Sequence, residues 1–370
     1  MISRKRGKPD TAVPPDTDDD LTRGATEPES TTARHRRKPA HRILLVLSIV
    51  LVGAVTLATV GLYVLTDSVA NQVVRTPNVF TGLDEAARPP ATEAMTFLLI
   101  GTDSLDPDHS ADEPPKVTFE PGSQRSDVIM LVRLDKDRSK ATVVSLPRDS
   151  WVTVPGYGNE KINAAYSFGG PSLLVRTVEA LTHIRVDHFG VIDFAGFQSV
   201  IDLVGGIDVT IDAATTAGGV SFHEGVNHLS GLQALSYVRQ RKGLPRGDLD
   251  RVRRHQNALR ALVTKIASST TLSHPADSYR LLDTLSQWVR VDDTFTNNGL
   301  RSFVFGLRDL RPTQVTFLTA PVGGLGREGS QSVVYLELDR GSALWHALGT
   351  GQIDAYVVMH PEGILGVSSP

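Results

Sequence analysis

The chain has 370 residues, of which 40 % are hydrophobic and 21 % are charged. These fractions are close to globular averages, so they exclude a wholly disordered, collagen-like or coiled-coil protein. The 38 basic and 41 acidic residues give a net charge of −3, which argues against a uniformly basic nucleic-acid-binding protein, and the absence of cysteine excludes disulfides, thiolate metal sites and cysteine nucleophiles.

Residues 1–42 are predicted to be a disordered tail. They contain five prolines, an acidic run at 18–20 and many Ser and Thr, with hardly any aliphatic side chain to form a core. The tail carries 10 basic and 7 acidic residues, whereas the rest of the chain has a net charge of −6. The bulk of the protein is therefore acidic.

Residues 43–65 form a run of 23 residues without a charge. A helix of this length is about 34 Å long, enough to cross a hydrocarbon core of about 30 Å. A cleaved signal peptide is the rival interpretation, but its apolar region usually has only about 7–15 residues. The run is therefore predicted to be a single retained transmembrane helix.

Charges on either side of this helix predict its orientation. Basic residues crowd its N-terminal side, whereas Asp67 is the nearest charge on the other side. The positive-inside rule then places residues 1–42 in the cytoplasm and the remainder outside the cell membrane. Residues 66–93 contain several prolines and no sustained periodicity, so they are predicted to be an extracytoplasmic stalk.

From residue 94 onward, strand-like and helix-like stretches alternate. Short, mostly apolar runs are typical of buried strands, and apolar residues at three-to-four-residue spacing are typical of amphipathic helices. The predicted strands are 96–100, 128–134, 141–146, 188–192, 207–211 and 315–318. One predicted helix starts at Pro171. The others cover 194–204, 232–238, 249–267 and two stretches after residue 278. The alternation favours a layered α/β sheet, parallel or mixed, which residues 280–370 are expected to complete.

Two aspartates lie at predicted strand ends. Asp103 directly follows FLLIGT, and Asp127 directly precedes VIMLV. Carboxylates at the ends of neighbouring strands are placed to share a divalent cation such as Mg²⁺, which prefers oxygen ligands. The alternative is that both residues only cap loops, where Asp is common.

Arginines recur around the same strand ends. Arg125 precedes the second predicted strand, Arg148 follows the third, and Arg239 and Arg241 end a predicted helix. Residues 239–254 hold seven basic residues against two acidic ones. Guanidinium groups suit bidentate binding of phosphate oxygens. A solvated helix face is the common alternative, and nucleic-acid binding is disfavoured because nucleic acid is not the expected polymer outside the membrane.

Motifs of several large enzyme classes do not stand out. The sequence has no P-loop, HExxH or GxSxG pattern, so it lacks the usual signals of NTPases, zinc proteases and serine hydrolases. The histidines show no convincing metal-ligand spacing. The basic and acidic residues described above are therefore the main candidates for chemistry.

Six segments follow one another in this region. They are LLIGTDS (98–104), RSDVIMLVRLD (125–135), SLPRDSWVTVPGYGNEKINAAYSFGG (145–170), DHFGVIDFAGFQSVIDLVGGIDV (187–209), LSGLQALSYVRQRKG (229–243) and DLDRVRRHQ (248–256). In order, content and spacing they resemble the LytR-CpsA-Psr family over residues 95–270. The resemblance implies an α/β/α layered catalytic domain over residues 94–370, with a central mixed sheet.

The resemblance also implies an activity. It points to a phosphotransferase that moves a glycopolymer from a polyprenyl-pyrophosphate carrier to a peptidoglycan hydroxyl, which leaves a phosphodiester link. Asp103 and Asp127 match the family's Mg²⁺-associated acids, so Mg²⁺ is the expected cofactor. The arginines that match those binding the pyrophosphate are Arg125, Arg148, Arg239 and Arg241.

Four more polar residues match family positions. Asp248 and Arg254 follow the YVRQR segment and are expected at the mouth of the site, with Asp248 as the candidate general base. Lys161 and Asn163 of KINAAY are expected to support substrate binding from behind the arginines. The polyprenyl chain needs an apolar tunnel, whose lining the sequence does not identify.

The chain also departs from the family pattern. Leu105 stands where Arg is common, and a Pro-rich insertion at 106–124 delays the RSD segment. Asp250 stands where Gly is frequent, and His255 stands where Gln is usual. Because the arginines of the site are intact, activity is still expected, whereas the rim of the site and the choice of acceptor are less constrained.

Two other functions fit the same residues. A membrane-bound sensor would bind lipid-linked polymer without turnover and signal through the 1–42 tail, although no effector module is recognisable there. A simple pyrophosphatase would use the same site with water as the acceptor. Product analysis separates hydrolysis from transfer, and deletion of residues 1–30 separates an enzyme from a protein that signals through its tail.

Overall fold

The computed structural model describes most of the chain after residue 66. The described ranges are 67–68, 70–102, 126–240, 243–268, 275–307 and 310–366, and they lie in the second of two compact units, Ala58–Pro370. No helix within these ranges is long and apolar enough to cross a membrane. The predictions that lie outside the described residues concern the tail 1–42, the transmembrane segment 43–65, and the site residues Asp103, Arg125 and Arg241.

Fifteen strands and eight α-helices make up the described fold. The strands are β1 (Val74–Thr76), β2 (Met95–Thr102), β3 (Val128–Leu134), β4 (Ala141–Ser145), β5 (Trp151–Val154), β6 (Gly158–Lys161), β7 (His188–Asp193), β8 (Ile207–Ile211), β9 (Thr215–Ala217), β10 (Val220–Phe222), β11 (Gly225–Leu229), β12 (Val289–Asp292), β13 (Val315–Thr319), β14 (Val322–Glu328) and β15 (Gln331–Leu336). The helices are α1 (Ile162–Thr182), α2 (Phe194–Leu203), α3 (Gly231–Arg239), α4 (Asp248–Ser268), α5 (Pro275–Trp288), α6 (Asn297–Leu307), α7 (Leu338–Thr350) and α8 (Ile353–Met359). Most predicted elements are present, with ends shifted by a few residues.

A seven-stranded sheet lies at the centre, in the order β1-β12-β7-β2-β3-β4-β13. The pairs β1–β12, β7–β2 and β4–β13 are parallel, whereas β12–β7, β2–β3 and β3–β4 are antiparallel. The sheet is therefore mixed, as the family resemblance implied. Because β12 and β13 come from the last third of the chain, the expectation that residues 280–370 complete the sheet is confirmed.

Alternate residues of the strands pack against two different helix layers. Leu98 and Ile100 of β2 belong to a core with Leu174 of α1 and with α7 and α8. Phe97, which points to the other face of the same strand, packs in a cluster with Phe303 of α6. Helices therefore cover both faces, and the predicted α/β/α layering is confirmed.

A second hydrophobic core lies beside the sheet and supports two helices of the site. It is formed by α2, α3, α4 and α5 with the short strands β8–β11. Ile207 and Tyr237 are fully buried there, and Leu281 reaches in from α5. A capping box between Ser230 and Gln233 starts α3. These contacts position the C-terminus of α3 and the N-terminus of α4.

Helix α1 begins nine residues before the predicted start at Pro171. The helix is kinked where Gly169 and Gly170 leave helical backbone angles, with φ of +63° at Gly170. Proline disfavours helical geometry in the residue before it and cannot donate a backbone hydrogen bond. Pro171 therefore starts the second half of a kinked helix, and the KINAAY segment forms the first half.

The described part of the predicted stalk packs into the domain, which corrects that interpretation. Within residues 66–93, β1 pairs with β12, and Val79 lies in the main core with 1 % exposure. Arg88 Nη2 lies 2.8 Å from Glu179 Oε1, and the two side chains are only 8 % and 5 % exposed. The sequence did not indicate this packing because the prolines interrupt the regular spacing of apolar residues.

Candidate active site

The central sheet brings Asp127 and Arg148 into contact at one edge. β3 starts after Asp127 and β4 ends before Arg148, and these strands are antiparallel neighbours with Met130 opposite Ser145. The Asp127 N–H donates to Gly101 O at 3.0 Å, which ties this residue to the end of β2. Arg148 Nη1 donates to Asp127 Oδ1. The spacing of the two strands therefore places a guanidinium against a carboxylate at the edge of the sheet.

The segment that carries Arg148 is held by the start of α1. The Asn163 N–H donates to Arg148 O at 3.2 Å. Lys161 Nζ lies 3.0 Å from Asp149 Oδ1, and Asp149 Oδ2 lies 3.6 Å from Arg148 Nε. Lys161 and Asn163 therefore support Arg148 from behind, and Asp149, which the sequence analysis did not single out, connects the lysine to the arginine.

Helix α4 adds a second carboxylate to this cluster. Asp248 is its first residue, where the helix dipole favours negative charge. Its Oδ1 lies 3.5 Å from Arg148 Nε and accepts a hydrogen bond from Arg251 Nη2. Within the described residues, its Oδ2 is buried and accepts no hydrogen bond. Burial raises the pKa of Asp248, and the nearby Arg251 and Arg148 oppose that rise.

Arg239 lies at the exposed C-terminus of α3. Its guanidinium carbon lies 5.0 Å from the centroid of the Phe194 ring. A cation over an aromatic face at this distance is attracted by the negative charge density of the ring. The contact fixes the charged end of Arg239 beside α2, which begins at Phe194.

An apolar pocket of about 110 Å³ lies between the sheet and helices α2, α3 and α4. It borders the charged cluster, because Val128 follows Asp127 directly and lines the pocket. A larger cavity of about 440 Å³ between α1 and α7 is lined by none of the predicted site residues. The residues lining the apolar pocket are Leu99, Ile100, Gly101, Val128, Met130, Ile192, Phe194, Phe197, Val238, His255 and Leu259.

His255 is the one titratable side chain in that lining. Its Nε2 lies 3.1 Å from Val238 O, so this nitrogen carries the proton and donates. Burial lowers the pKa of His255 to about 3, and the charge of Arg251 adds to that effect. His255 is therefore neutral near pH 7, and the pocket wall carries no charge there.

Comparison with known proteins identifies the family of this chain. The family model described as LytR_cpsA_psr matches residues 66–345. The chain belongs to the LytR-CpsA-Psr family. The cell wall biosynthesis protein LcpA of Corynebacterium glutamicum is 33 % identical over 298 residues, which are 71 % of this chain and 57 % of LcpA. The polyisoprenyl-teichoic acid–peptidoglycan teichoic acid transferase TagU of Bacillus mycoides is 35 % identical over 194 residues, which are 52 % of this chain and 59 % of TagU. The chain therefore spans less than two thirds of the length of these two relatives.

Solved structures share the LytR-CpsA-Psr fold. Bacillus subtilis TagV matches with a TM-score of 0.55 and 26 % identity, over 72 % of this chain and 98 % of TagV. The LytR-Csp2A-Psr enzyme from Actinomyces oris also gives a TM-score of 0.55, with 23 % identity over 71 % of this chain and 93 % of that one. The second likeness concerns the fold alone.

Within this LytR-CpsA-Psr domain, Arg254 does not lie at the mouth of the site, which corrects the prediction. It is 1 % exposed, and its Nη1 donates to Tyr237 O at 3.2 Å and to Gln240 Oε1. Arg254 therefore stabilises the C-terminal end of α3 through these two hydrogen bonds. Arg251 is the arginine of α4 that reaches Asp248, and the three-residue spacing between the two was the signal for that contact.

The expected Mg²⁺ site is described only in part, because Asp103 lies outside the described residues. Among the residues that the structure describes, no group of three or more His, Asp or Glu is arranged to hold a metal ion. Mg²⁺ is commonly bound by one or two carboxylates together with substrate phosphates. The carboxylate of Asp127 supplies one oxygen donor of that kind, so the described member of the predicted pair fits the ion.

Proposed function

We propose that the protein is a membrane-anchored phosphotransferase of cell-wall assembly. It would transfer a glycopolymer from a polyprenyl-pyrophosphate carrier to a peptidoglycan hydroxyl. The names of its relatives support this proposal, since LcpA is a cell wall biosynthesis protein and TagU joins teichoic acid to peptidoglycan. The observation that carries it is a cluster of guanidinium and carboxylate groups beside an apolar pocket, because a lipid diphosphate needs both environments.

The substrate would lie across this boundary. Its polyprenyl chain enters the apolar pocket, where burial of its methylene groups contributes affinity. Its diphosphate meets Arg148 and Arg239, and the family resemblance adds Arg125 and Arg241, which lie outside the described residues. Arg148 pairs with the carboxylates of Asp127 and Asp248, and phosphate oxygens would compete with them for this guanidinium. These carboxylates keep the half-buried guanidinium charge paired.

Transfer requires one bond to form and one to break. The acceptor oxygen attacks the phosphorus that carries the glycopolymer, and the bond from this phosphorus to the bridging oxygen breaks. Polyprenyl phosphate leaves, and the glycopolymer remains on the acceptor as a phosphodiester. The unbonded Oδ2 of Asp248 is the candidate acceptor for the hydroxyl proton. The arginines stabilise the charge on the phosphoryl oxygens, so positioning and electrostatics carry most of the catalysis.

Two further parts of the proposal lie partly or wholly outside the described residues. Mg²⁺ bound by Asp103 and Asp127 would neutralise charge on the diphosphate oxygens. The segment 43–65 would hold the catalytic domain at the outer surface of the membrane that contains the carrier.

Product analysis tests the proposal. The full chain in detergent is incubated with synthetic polyprenyl-pyrophosphate glycans of several types and with peptidoglycan oligomers. We expect polyprenyl phosphate and a glycan joined to peptidoglycan by a phosphodiester, with turnover abolished by a chelator. Free glycan phosphate as the only product would instead favour the pyrophosphatase, and turnover that survives chelation would contradict the role of Mg²⁺.

A further inference from the structure

Phe194 belongs to both halves of the proposed site. Its ring lines the apolar pocket, and the guanidinium of Arg239 lies over the same ring with 5.0 Å between the carbon and the centroid. The phenylalanine is 8 % exposed, whereas Arg239 is exposed. We infer that Phe194 is a positioning residue that couples occupation of the lipid pocket to the placement of Arg239 on the diphosphate.

The ring has a defined place in the fold. Phe194 is the first residue of α2 and follows β7 directly, so the sheet and the helix both hold its backbone. The ring of His255 lies 6.5 Å away, centroid to centroid. With only 8 % of the residue exposed, most of the Phe194 ring is packed against neighbouring side chains. The ring is therefore a platform of limited freedom for the guanidinium.

An apolar chain in the pocket would restrict this ring further. A restricted ring restricts Arg239, and a guanidinium held in its binding position loses less freedom when it meets a phosphate. The binding free energy of a lipid diphosphate is therefore more favourable than the sum of the contributions of its chain and its head group. This coupling rests on the proposed function, and it makes the site selective for diphosphates that carry an apolar chain over nucleoside or inorganic diphosphates.

Phe197 provides a matched control on the same helix. It lines the same pocket and packs at the edge of the second core. Among the described residues, Arg239 lies over the ring of Phe194, and no arginine lies over the ring of Phe197. Replacement of either phenylalanine by leucine keeps an apolar side chain, but only Phe194→Leu removes the aromatic face beneath Arg239.

Two probes separate the effects of head group and chain. Dissociation constants for inorganic pyrophosphate and for geranylgeranyl diphosphate are measured on the full chain in detergent. Phe194→Leu should weaken pyrophosphate binding by about 3- to 30-fold, the range expected for loss of a cation–π contact. Phe197→Leu should weaken only the lipid diphosphate. In the Arg239→Ala background, Phe194→Leu should have no further effect on pyrophosphate binding. In the presence of Arg239, Phe194→Tyr keeps an aromatic face and should bind pyrophosphate nearly as tightly as the wild type.

Contrary results are equally distinct. Pyrophosphate binding that is unchanged in Phe194→Leu, with a loss for the lipid equal to that of Phe197→Leu, would overturn the coupling and leave the proposed function standing. If the wild-type chain binds neither probe, the proposed function fails and the coupling fails with it. Thermal unfolding checks that each variant folds, and Phe194→Met is measured in the same way if the leucine variant does not.

Discussion

Asp248 combines two features that a proton acceptor needs. One carboxylate oxygen is held by Arg251, and within the described residues the other is buried without a hydrogen bond. Because burial raises its pKa, the carboxylate takes up a proton at a higher pH than an ordinary aspartate, whose pKa is about 3.9. Protonation removes the base, so activity is lost as the pH falls through that raised pKa.

The pH profile of kcat/KM therefore tests Asp248. We expect an acidic limb above the usual aspartate range, and Asp248→Asn should lower the rate by about 10²- to 10⁴-fold and abolish the limb. Asp208→Asn is the control, because Asp208 is an exposed aspartate paired with His228. A full rate in Asp248→Asn, or an unchanged limb, would remove Asp248 as the base.

His255 predicts how stability depends on pH. Its pKa is about 3 in the folded protein and about 6.5 when unfolded, so the unfolded chain binds more protons between these values. The contribution of His255 to the free energy of unfolding is therefore fully present above about pH 6.5 and is lost as the pH decreases towards 3. The difference between pH 7.5 and pH 5 is about 2 kcal/mol from this residue.

Urea unfolding followed by tryptophan fluorescence measures this difference on the full chain in detergent. His255→Gln keeps an N–H donor for Val238 O and has no charge to gain, so it should lose about 2 kcal/mol less than the wild type between the two pH values. Equal losses in the two proteins would show that His255 does not titrate as its burial implies.

At the scale of single residues, the sequence identified the types of group better than their directions. Asp127 and Arg148 were both predicted at the ends of strands, but the ion pair between them was not predicted. Arg251 reaches Asp248 through their three-residue spacing on one helix, whereas the burial of Arg254 against the end of α3 depends on how α4 is rotated towards α3. That rotation depends on tertiary contacts that a local pattern does not contain.

At the scale of elements, α2 is placed by its close approach to α5. A Cβ at Gly196 would lie 2.1 Å from Trp288 Cβ, so the two helices touch where only glycine fits. Gly196→Ala should therefore lower the free energy of unfolding by about 1–3 kcal/mol, because the helices must separate. The start of α2, which carries Phe194, would shift with them.

Gly349→Ala is the matched control in urea unfolding. Gly349 lies in α7, and a Cβ there meets nothing within 4 Å. Alanine at such a helical position should be neutral or raise stability by up to about 1 kcal/mol. If the two alanine variants were equally stable, the close contact between α2 and α5 would be contradicted.

The long apolar runs and the amphipathic helices were predictable because each is buried over several residues. β3 matches its predicted range, and α4 differs from its prediction by one residue at each end. The short hairpin β9–β10 was missed, since three-residue strands with partly exposed side chains carry too little pattern. Local sequence patterns do not predict the secondary structure of segments that are buried only by contacts with neighbouring elements.

At the scale of the whole molecule, the segment that follows the predicted membrane helix is part of the folded α/β domain. Arg88 ties it to α1 through the buried Glu179, and also donates to Val186 O. Arg88→Ala leaves the carboxylate of Glu179 buried without this partner. Stability should fall by about 3–5 kcal/mol in urea unfolding.

Lys136→Ala is the comparison for that variant. Lys136 pairs with Glu93, but both side chains are about 70 % exposed. Water screens such pairs, so the free energy of unfolding should change by less than about 1 kcal/mol. An Arg88→Ala chain as stable as Lys136→Ala would mean that the buried Arg88–Glu179 pair does not stabilise the fold.

The order of strands in the sheet could not be predicted from local patterns. β1 and β12 lie at one edge although more than 200 residues separate them in the chain, and β13 closes the other edge beside β4. Periodicity identifies a strand but not its neighbour. The family resemblance supplied the mixed sheet, and with it the convergence of Asp127, Arg148 and Asp248 that the site requires.

The most direct measurement is the transfer rate of Arg148→Ala beside that of Arg185→Ala. The two arginine side chains are 20 % and 18 % exposed and both form ion pairs, but Arg185 lies before β7, at the end of the sheet away from Asp127. We predict that Arg148→Ala loses on the order of 10²- to 10³-fold in kcat/KM while remaining folded, and that Arg185→Ala keeps a rate near the wild type. A near-normal rate in a folded Arg148→Ala protein would contradict the diphosphate site proposed here.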